Sequence, residues 1–220
     1  MMPADTEGVV AYGGLHNRAL VRLFATLAHG ERLAMSSARR QARMVSERQA
    51  SRFLMGQSRQ EAMHAVLFQR VAEWLAPPSP PVDIPPGFYR FERRMERALI
   101  AGDLPESLVG TQIVLEGLGG HILEQLNRGL DRKDIGFSRQ RRVILRQEQA
   151  HHAFGLRLLN GVIVRDGDAL SRIQQSAVVY LGIADEILAE MTEVFECLDE
   201  RIEDYRDGLR SSLPDWLQVA

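Results

Sequence analysis

The chain has 220 residues, of which 45% are hydrophobic and 25% charged, with a formal net charge of −2 at neutral pH. That length fits one domain spanning 1–220 with a real core, and the near-zero charge weighs against a nucleic-acid module, for which a basic domain is expected. Cys197 is the lone cysteine, so no internal disulfide can form and a reducing, cytoplasmic setting is expected. No stretch approaches the roughly 18 apolar residues of a membrane span, and the chain does not open on a basic segment followed by an apolar run.

Apolar residues recur at spacings of three and four rather than alternating, which predicts an all-α fold. A first helix is expected from about Leu15 to the Ser36–Ser37 region, with Leu20, Phe24, Leu27, Glu31 and Ala34 on one face. The carboxylate of Glu31 thus interrupts a core-facing row. A second helix, about 41–76, places Leu54, Gln57, Glu61, His64, Phe68, Val71 and Leu75 together, and ends at a proline-rich segment that cannot continue it. That segment, Pro77 to Pro86, is suited to crossing a bundle between its two halves, or to serving as a plain spacer.

A short helix from Tyr89 to Ile100 follows, stopped near Gly102. The third long helix starts near Pro105, a favourable first-turn residue, and ends by Gly129. Its apolar face carries Val109, Ile113 and Glu116. Glu124 is a rival for Glu116 but lies on a more polar surface. Gly117, Gly119 and Gly120 each weaken a helix by up to about 1 kcal/mol relative to alanine; they open space for a ligand, permit a π-bulge, or allow close helix contact. The fourth helix, about 138–160, aligns Ile144, Glu148, His151, Gly155 and Leu158.

Beyond it, from about 168 to 217, Leu170, Ile173, Ala177, Leu181, Ala184, Leu188, Met191, Phe195, Leu198, Ile202 and Tyr205 keep the same spacing. Unbroken, this extension would be about 50 Å long, so a bend is expected, at Gly182 or after Leu198. Core packing is the expected role of the seam, with a homodimer contact as the alternative.

Chemistry is concentrated in a repeated motif. Glu61-Ala-Met-His64 and Glu148-Gln-Ala-His151 each put a carboxylate and an imidazole on one helical face. Glu31 precedes Glu61 by 30 positions and Glu116 precedes Glu148 by 32, about the length of a helical hairpin returning to the same level. One Glu-x-x-His is ordinarily a solvated pair. Two copies, each matched to a glutamate on an apolar face, predict four buried carboxylates and two imidazoles at one height, the ligand set of a two-metal carboxylate site. Divalent cations would offset the several kcal/mol that each unpaired buried ion costs. His152 points about 100° away from His151 and is expected to hydrogen-bond within the core; His121, His16 and His29 lack a partner pattern.

Eight arginines lie between Arg32 and Arg70 against Glu47 and Glu61, whereas ten acids crowd Asp185 to Asp207. These faces are expected to be solvated or to complement each other. The alternative is docking of an acidic electron-transfer protein on the second helix.

The order Glu31, Glu61-x-x-His64, Glu116, Glu148-x-x-His151 resembles the ferritin-like di-iron carboxylate superfamily over about residues 15–160. Ligand spacing, crossover and C-terminal helices are most similar to the cyanobacterial aldehyde-deformylating oxygenases. The resemblance implies a ferritin-like four-helix bundle with a long crossover, holding two iron ions, or manganese in their place. It implies Glu61 and Glu148 as bridging, catalytic carboxylates, Glu31 and Glu116 as terminal ligands, and His64 and His151 as one imidazole per metal. Dioxygen, a small apolar substrate such as a fatty aldehyde, and an external ferredoxin-like electron donor are the implied partners. Ala-Met and Gln-Ala fill the two motifs where many such oxygenases have E-x-R-H, which leaves the subfamily open. A transfer-RNA hydroxylase, or a ferroxidase or metal-binding protein without organic substrate, is the alternative.

Overall fold

The computed structural model describes residues 14–75, 82–132, 138–197 and 199–218. Helix α1 (Gly14–Met44) and α2 (Arg48–Leu75) form an antiparallel hairpin. Ser51 Oγ donates to the Ala42 carbonyl and Ser58 Oγ to that of Met35, fixing the register. α1 runs past the expected stop at Ser36–Ser37 because Ser37 faces inward beside Ala38 and Ala42, all buried and small enough for close helix contact. The turn therefore falls at residues 45–47, and α2 begins later than its periodicity suggests.

Helix α3 (Pro86–Ala101) takes Pro86 in its first turn and ends on Gly102, whose φ of 73° is a left-handed cap that a side chain would strain. The expected short helix is thus extended by three residues at its start. Pro77, Pro78, Pro80 and Pro81, part of the expected crossover segment, lie outside the described residues.

The third rod comprises α4 (Leu104–Leu108), a π-helical segment (Val109–Leu115) and α5 (Glu116–Arg132). Asp103 caps it by accepting from the Glu106 N–H at 2.9 Å. α6 (Ser138–Arg165) passes the expected end at Asn160 and continues through Gly161 to Arg165. Gln41, late in α1, donates to Ser107 and Thr111, early in the third rod, so these two rods are antiparallel. Gln57 is bonded to both Gln112 and Glu116, and His152 to Gln112. Those pairings make α2 parallel to the third rod and α6 antiparallel to it. Parallel neighbours need a connection that returns the full length of the bundle, which is where α3 lies.

The C-terminal segment divides into α7 (Ala169–Glu190), α8 (Thr192–Cys197), α9 (Ile202–Ser211) and a 3₁₀ turn (Asp215–Leu217). Its break comes at Met191 rather than Gly182, which sits inside α7. Leu198 lies outside the described residues, but the chain does leave helix between α8 and α9, where Asp199 has φ 57°. Ile173, Ala177, Ala184, Leu188, Met191, Phe195 and Tyr205 are buried, so the seam packs as core. Tyr180 packs at a tilt against Phe91 of α3 (4.8 Å between centroids) and over Gly110, where a Cβ would overlap its ring.

Three acids of the extension are paired with arginines of the fold. Asp185 meets Arg206 and Arg210 on α9, while Glu186 and Glu190 hold Arg90 on α3. Arg40 on α1 takes Glu96. In these pairs the two charged segments do not join each other: Asp185, Glu186 and Glu190 take arginines of α3 and α9, while Arg48, Arg52 and Arg59 of α2 are exposed. Among the described residues no helix is long and apolar enough to cross a membrane. The whole is all-helical and compatible with a ferritin-like bundle.

Candidate metal centre

Glu31 projects from α1, Glu61 and His64 from α2, Glu116 from the first residue of α5, and Glu148 and His151 from α6. All six are buried, Glu61 completely. They form two donor sets whose ligand atoms lie within 4.8 Å of one another: Glu31, Glu61, His64 and Glu148 in one, Glu61, Glu116, Glu148 and His151 in the other. Glu61 and Glu148 belong to both sets. Each set also draws one of these two from the opposite hairpin.

His64 Nδ1 is 3.0 Å from Glu61 Oε2, 3.0 Å from Glu148 Oε1 and 3.6 Å from Glu31 Oε2. His151 Nδ1 is 2.9 Å from Glu61 Oε1 and 3.5 Å from Glu116 Oε2. None of these contacts has the alignment of a hydrogen bond: both Glu61 oxygens, Glu148 Oε1 and the two Nδ1 atoms are buried without a hydrogen-bond partner. Orphaned polar atoms on this scale are uncommon inside proteins and need a reason. A four-carboxylate, two-imidazole set converging without mutual hydrogen bonds fits a pair of divalent cations between the donors.

The protons of the metal-free cluster follow from the same crowding. Burial, then the charge of Glu148, pushes Glu31 and Glu116 well above the usual carboxylate range. For Glu61, burial acts in the same direction but is outweighed by the two imidazoles, which hold it down at about 2. Burial alone would depress His64, yet Glu148, Glu31 and Glu61 carry it up to about 12. Protons hold the layer together where cations would otherwise do so, and binding a cation must displace them.

The remaining ring nitrogens are held by amides that the sequence reading did not single out. His64 Nε2 lies 2.8 Å from Gln147 Oε1, and His151 Nε2 lies 2.8 Å from Gln60 Oε1. Each glutamine immediately precedes the glutamate of its own motif and reaches the histidine of the other. The signal was present in the sequence as a repeated Gln-Glu-x-x-His.

On the side of the layer towards the C-terminal end of α1, buried amides continue. Gln57 donates to Glu116 Oε1 at 2.8 Å and accepts from Gln112 at 2.9 Å. Gln112 sits in the π segment, where Glu116 N–H bonds to the Thr111 carbonyl five residues back. His152 Nδ1 donates to the Gln112 carbonyl at 2.9 Å, a side chain inserted into the helical ladder. His152 is therefore a core hydrogen-bonding residue, as expected. Gly155 permits this approach, because a Cβ there would overlap Gln112 Cβ. The expected π-bulge exists, but it precedes Glu116 instead of following it at Gly117–Gly120.

The opposite side is apolar. A cavity of about 50 Å³ reaches Glu31, Glu116 and Glu148 and is walled by Leu23, Leu27, Leu118, Ile122, Leu188, Met191 and Phe195, among others. Gly119 lines it, with open space where its Cβ would be, whereas Gly117 packs on Leu209 of α9. Thus the adjacent glycines have separate explanations. Thr26 Oγ1, also in this wall, is buried and has no partner.

Other expectations resolve simply. His29 packs edge-on against Phe88 and Tyr89, with Glu92 3.6 Å away. His121 covers Gly208 of α9. Glu124 is not part of either donor set. His16 falls outside the described side chains. Compared with known proteins, the sequence matches no family model and no curated relative.

Proposed function

We propose that the protein is a dioxygen-dependent, non-haem di-iron oxidoreductase acting on a small apolar substrate, of which a fatty aldehyde is one example. The observation that carries this reading is the pairing of two donor sets, joined by Glu61 and Glu148, with an apolar cavity that opens onto three of their carboxylates.

Glu61 and Glu148 would bridge the pair, Glu31 and Glu116 would bind terminally, and His64 and His151 would each hold one metal. When bound, the metals supply redox chemistry with dioxygen that no side chain can perform. The chain's own contribution is to fix the donors, exclude water and place a substrate. Leu23, Leu27, Leu118 and Ile122 give that substrate an apolar bed and keep water from the carboxylates. An enclosed water needs about 10–15 Å³, so the cavity as it stands takes only a few atoms, and a longer chain requires Met191 and Phe195 to swing aside. Methionine at that point suits such adaptation. The unpartnered Thr26 hydroxyl would hydrogen-bond one polar group and so favours a substrate bearing an oxygen. Electrons would come from an external donor, with the exposed Arg48, Arg52 and Arg59 of α2 as its docking surface.

The test begins with elemental analysis of protein purified without added metal, followed by anaerobic loading with Fe(II) and exposure to dioxygen with and without a short saturated aldehyde. About two irons per chain and aldehyde-dependent dioxygen consumption support the proposal. Metal uptake with dioxygen consumption indifferent to the aldehyde would favour a ferroxidase. No uptake would sink both.

A further inference from the structure

We infer that Gln60 and Gln147 are crossed positioning residues, each fixing the metal-binding histidine of the opposite motif so that the two half-sites depend on one another. The inference rests on the metal reading above. Its geometry is independent of any reaction.

Consecutive residues on a helix point about 100° apart. Glu61 and Glu148 therefore enter the layer while Gln60 and Gln147, beside them, point along it towards the neighbouring helix. Both glutamine oxygens end 2.8 Å from an imidazole Nε2. An amide oxygen only accepts, so the ring must carry a proton on Nε2, which leaves the Nδ1 lone pair for the donor set. The brace thus selects the tautomer and the ring angle at once. It runs crosswise: the α2 glutamine serves the α6 histidine, and the α6 glutamine serves the α2 histidine.

Charge explains why an amide suits this position. Four carboxylates and two neutral imidazoles balance two divalent cations. Carboxylates in place of the glutamines would add negative charge to the layer and favour a higher metal oxidation state, whereas amides hold the rings without shifting that balance. The amides therefore leave the reduced, divalent pair balanced by the four carboxylates alone.

The crossover gives a test that separates this role from ordinary helix packing. Fe(II) affinity is measured anaerobically by calorimetry in His64→Ala, which retains the His151 half-site, and in His151→Ala, which retains the other. Adding Gln60→Leu is expected to weaken the site remaining in His64→Ala about 10–100-fold, the usual cost of losing such a partner, and to leave the site remaining in His151→Ala unchanged. Gln147→Leu is expected to show the reverse pattern. Gln60→Glu keeps an acceptor at the same reach, so it should restore affinity and move the reduction potential of the loaded pair negative. Equal effects of Gln60→Leu in both backgrounds, or an effect that follows His64 in its own motif, would overturn the brace while leaving the metal centre standing. Absence of Fe(II) uptake by the unmodified chain would overturn both.

Discussion

The two sides of the carboxylate layer are built from opposite materials. Towards the C-terminal end of α1, the bundle interior is filled by buried amides and hydroxyls in two hydrogen-bonded groups, Gln41 with Ser107 and Thr111, and Gln112 with Gln57, which in turn donates to Glu116. On the other side it is apolar and leaves a cavity. Buried amides are costly unless paired, and when paired they fix geometry. An apolar wall fixes little but leaves space and offers few polar groups to compete with a guest. On the proposed reading, one side would hold the ligands still while the other would receive the substrate.

The largest effect should come from the layer dividing these regions. Glu61→Ala removes a donor from both sets, and metal content should fall from about two ions per chain to below one. Glu31→Ala touches one set only and should leave about one. Elemental analysis after purification from metal-free medium distinguishes the two.

Two glycine substitutions then set one side against the other. Gly155→Ala puts a methyl group into Gln112 on the packed side. It should cost about 1–3 kcal/mol by overpacking, lowering the melting temperature by about 2–4 °C per kcal/mol. Gly119→Leu on the open side meets nothing at its Cβ. It should cost no stability, and the helix gains up to about 1 kcal/mol, yet apolar ligand binding should be lost with metal content intact. Equal destabilisation by the two changes would show that the cavity side is as tightly packed as the amide side.

Acidity probes the layer more gently. In chelator-treated protein Glu31 and Glu116 keep protons that the unfolded chain releases above about 4.5, and His64 keeps one that it releases above about 6.5. The folded state then binds more protons than the unfolded, so stability should fall as pH rises through neutrality, by at most about 1.4 kcal/mol per pH unit for each proton. Glu61 acts in the other direction, but its contribution is lost only between 4.5 and about 2. Cations displace the retained protons, so their stabilising effect should grow over the same range in which the metal-free chain weakens. Urea unfolding at pH 6, 7 and 8, with and without chelator, measures both slopes.

Much of this plan is legible in the sequence because a helical period is local. The spacing of Glu31, Glu61, His64, Glu116, Glu148 and His151 places six donors on inward faces without any knowledge of neighbours. What escapes that reading is tertiary. Ser36–Ser37 resembles a helix end but is carried through because Ser37 faces a neighbouring helix. The π segment depends on His152 reaching a carbonyl 40 residues away in the chain. Gly182 has no packing partner that would require a bend, whereas the break at Met191 lies where the extension closes over the cavity. Gln60 and Gln147 sit off the apolar stripe and read as surface residues until the opposite helix is in place.

The exchange of Glu61 and Glu148 between donor sets has a consequence for biosynthesis. The first hairpin leaves the ribosome with Glu31, Glu61 and His64 but without Glu148, and so carries an incomplete nest. Only after α6 has been made, and has docked in the correct register, does either nest acquire its fourth member. On the proposed reading, a divalent ion taken up from the cell would report that the two halves of the newborn chain have found each other, and fragments or misaligned intermediates would give it no comparable home.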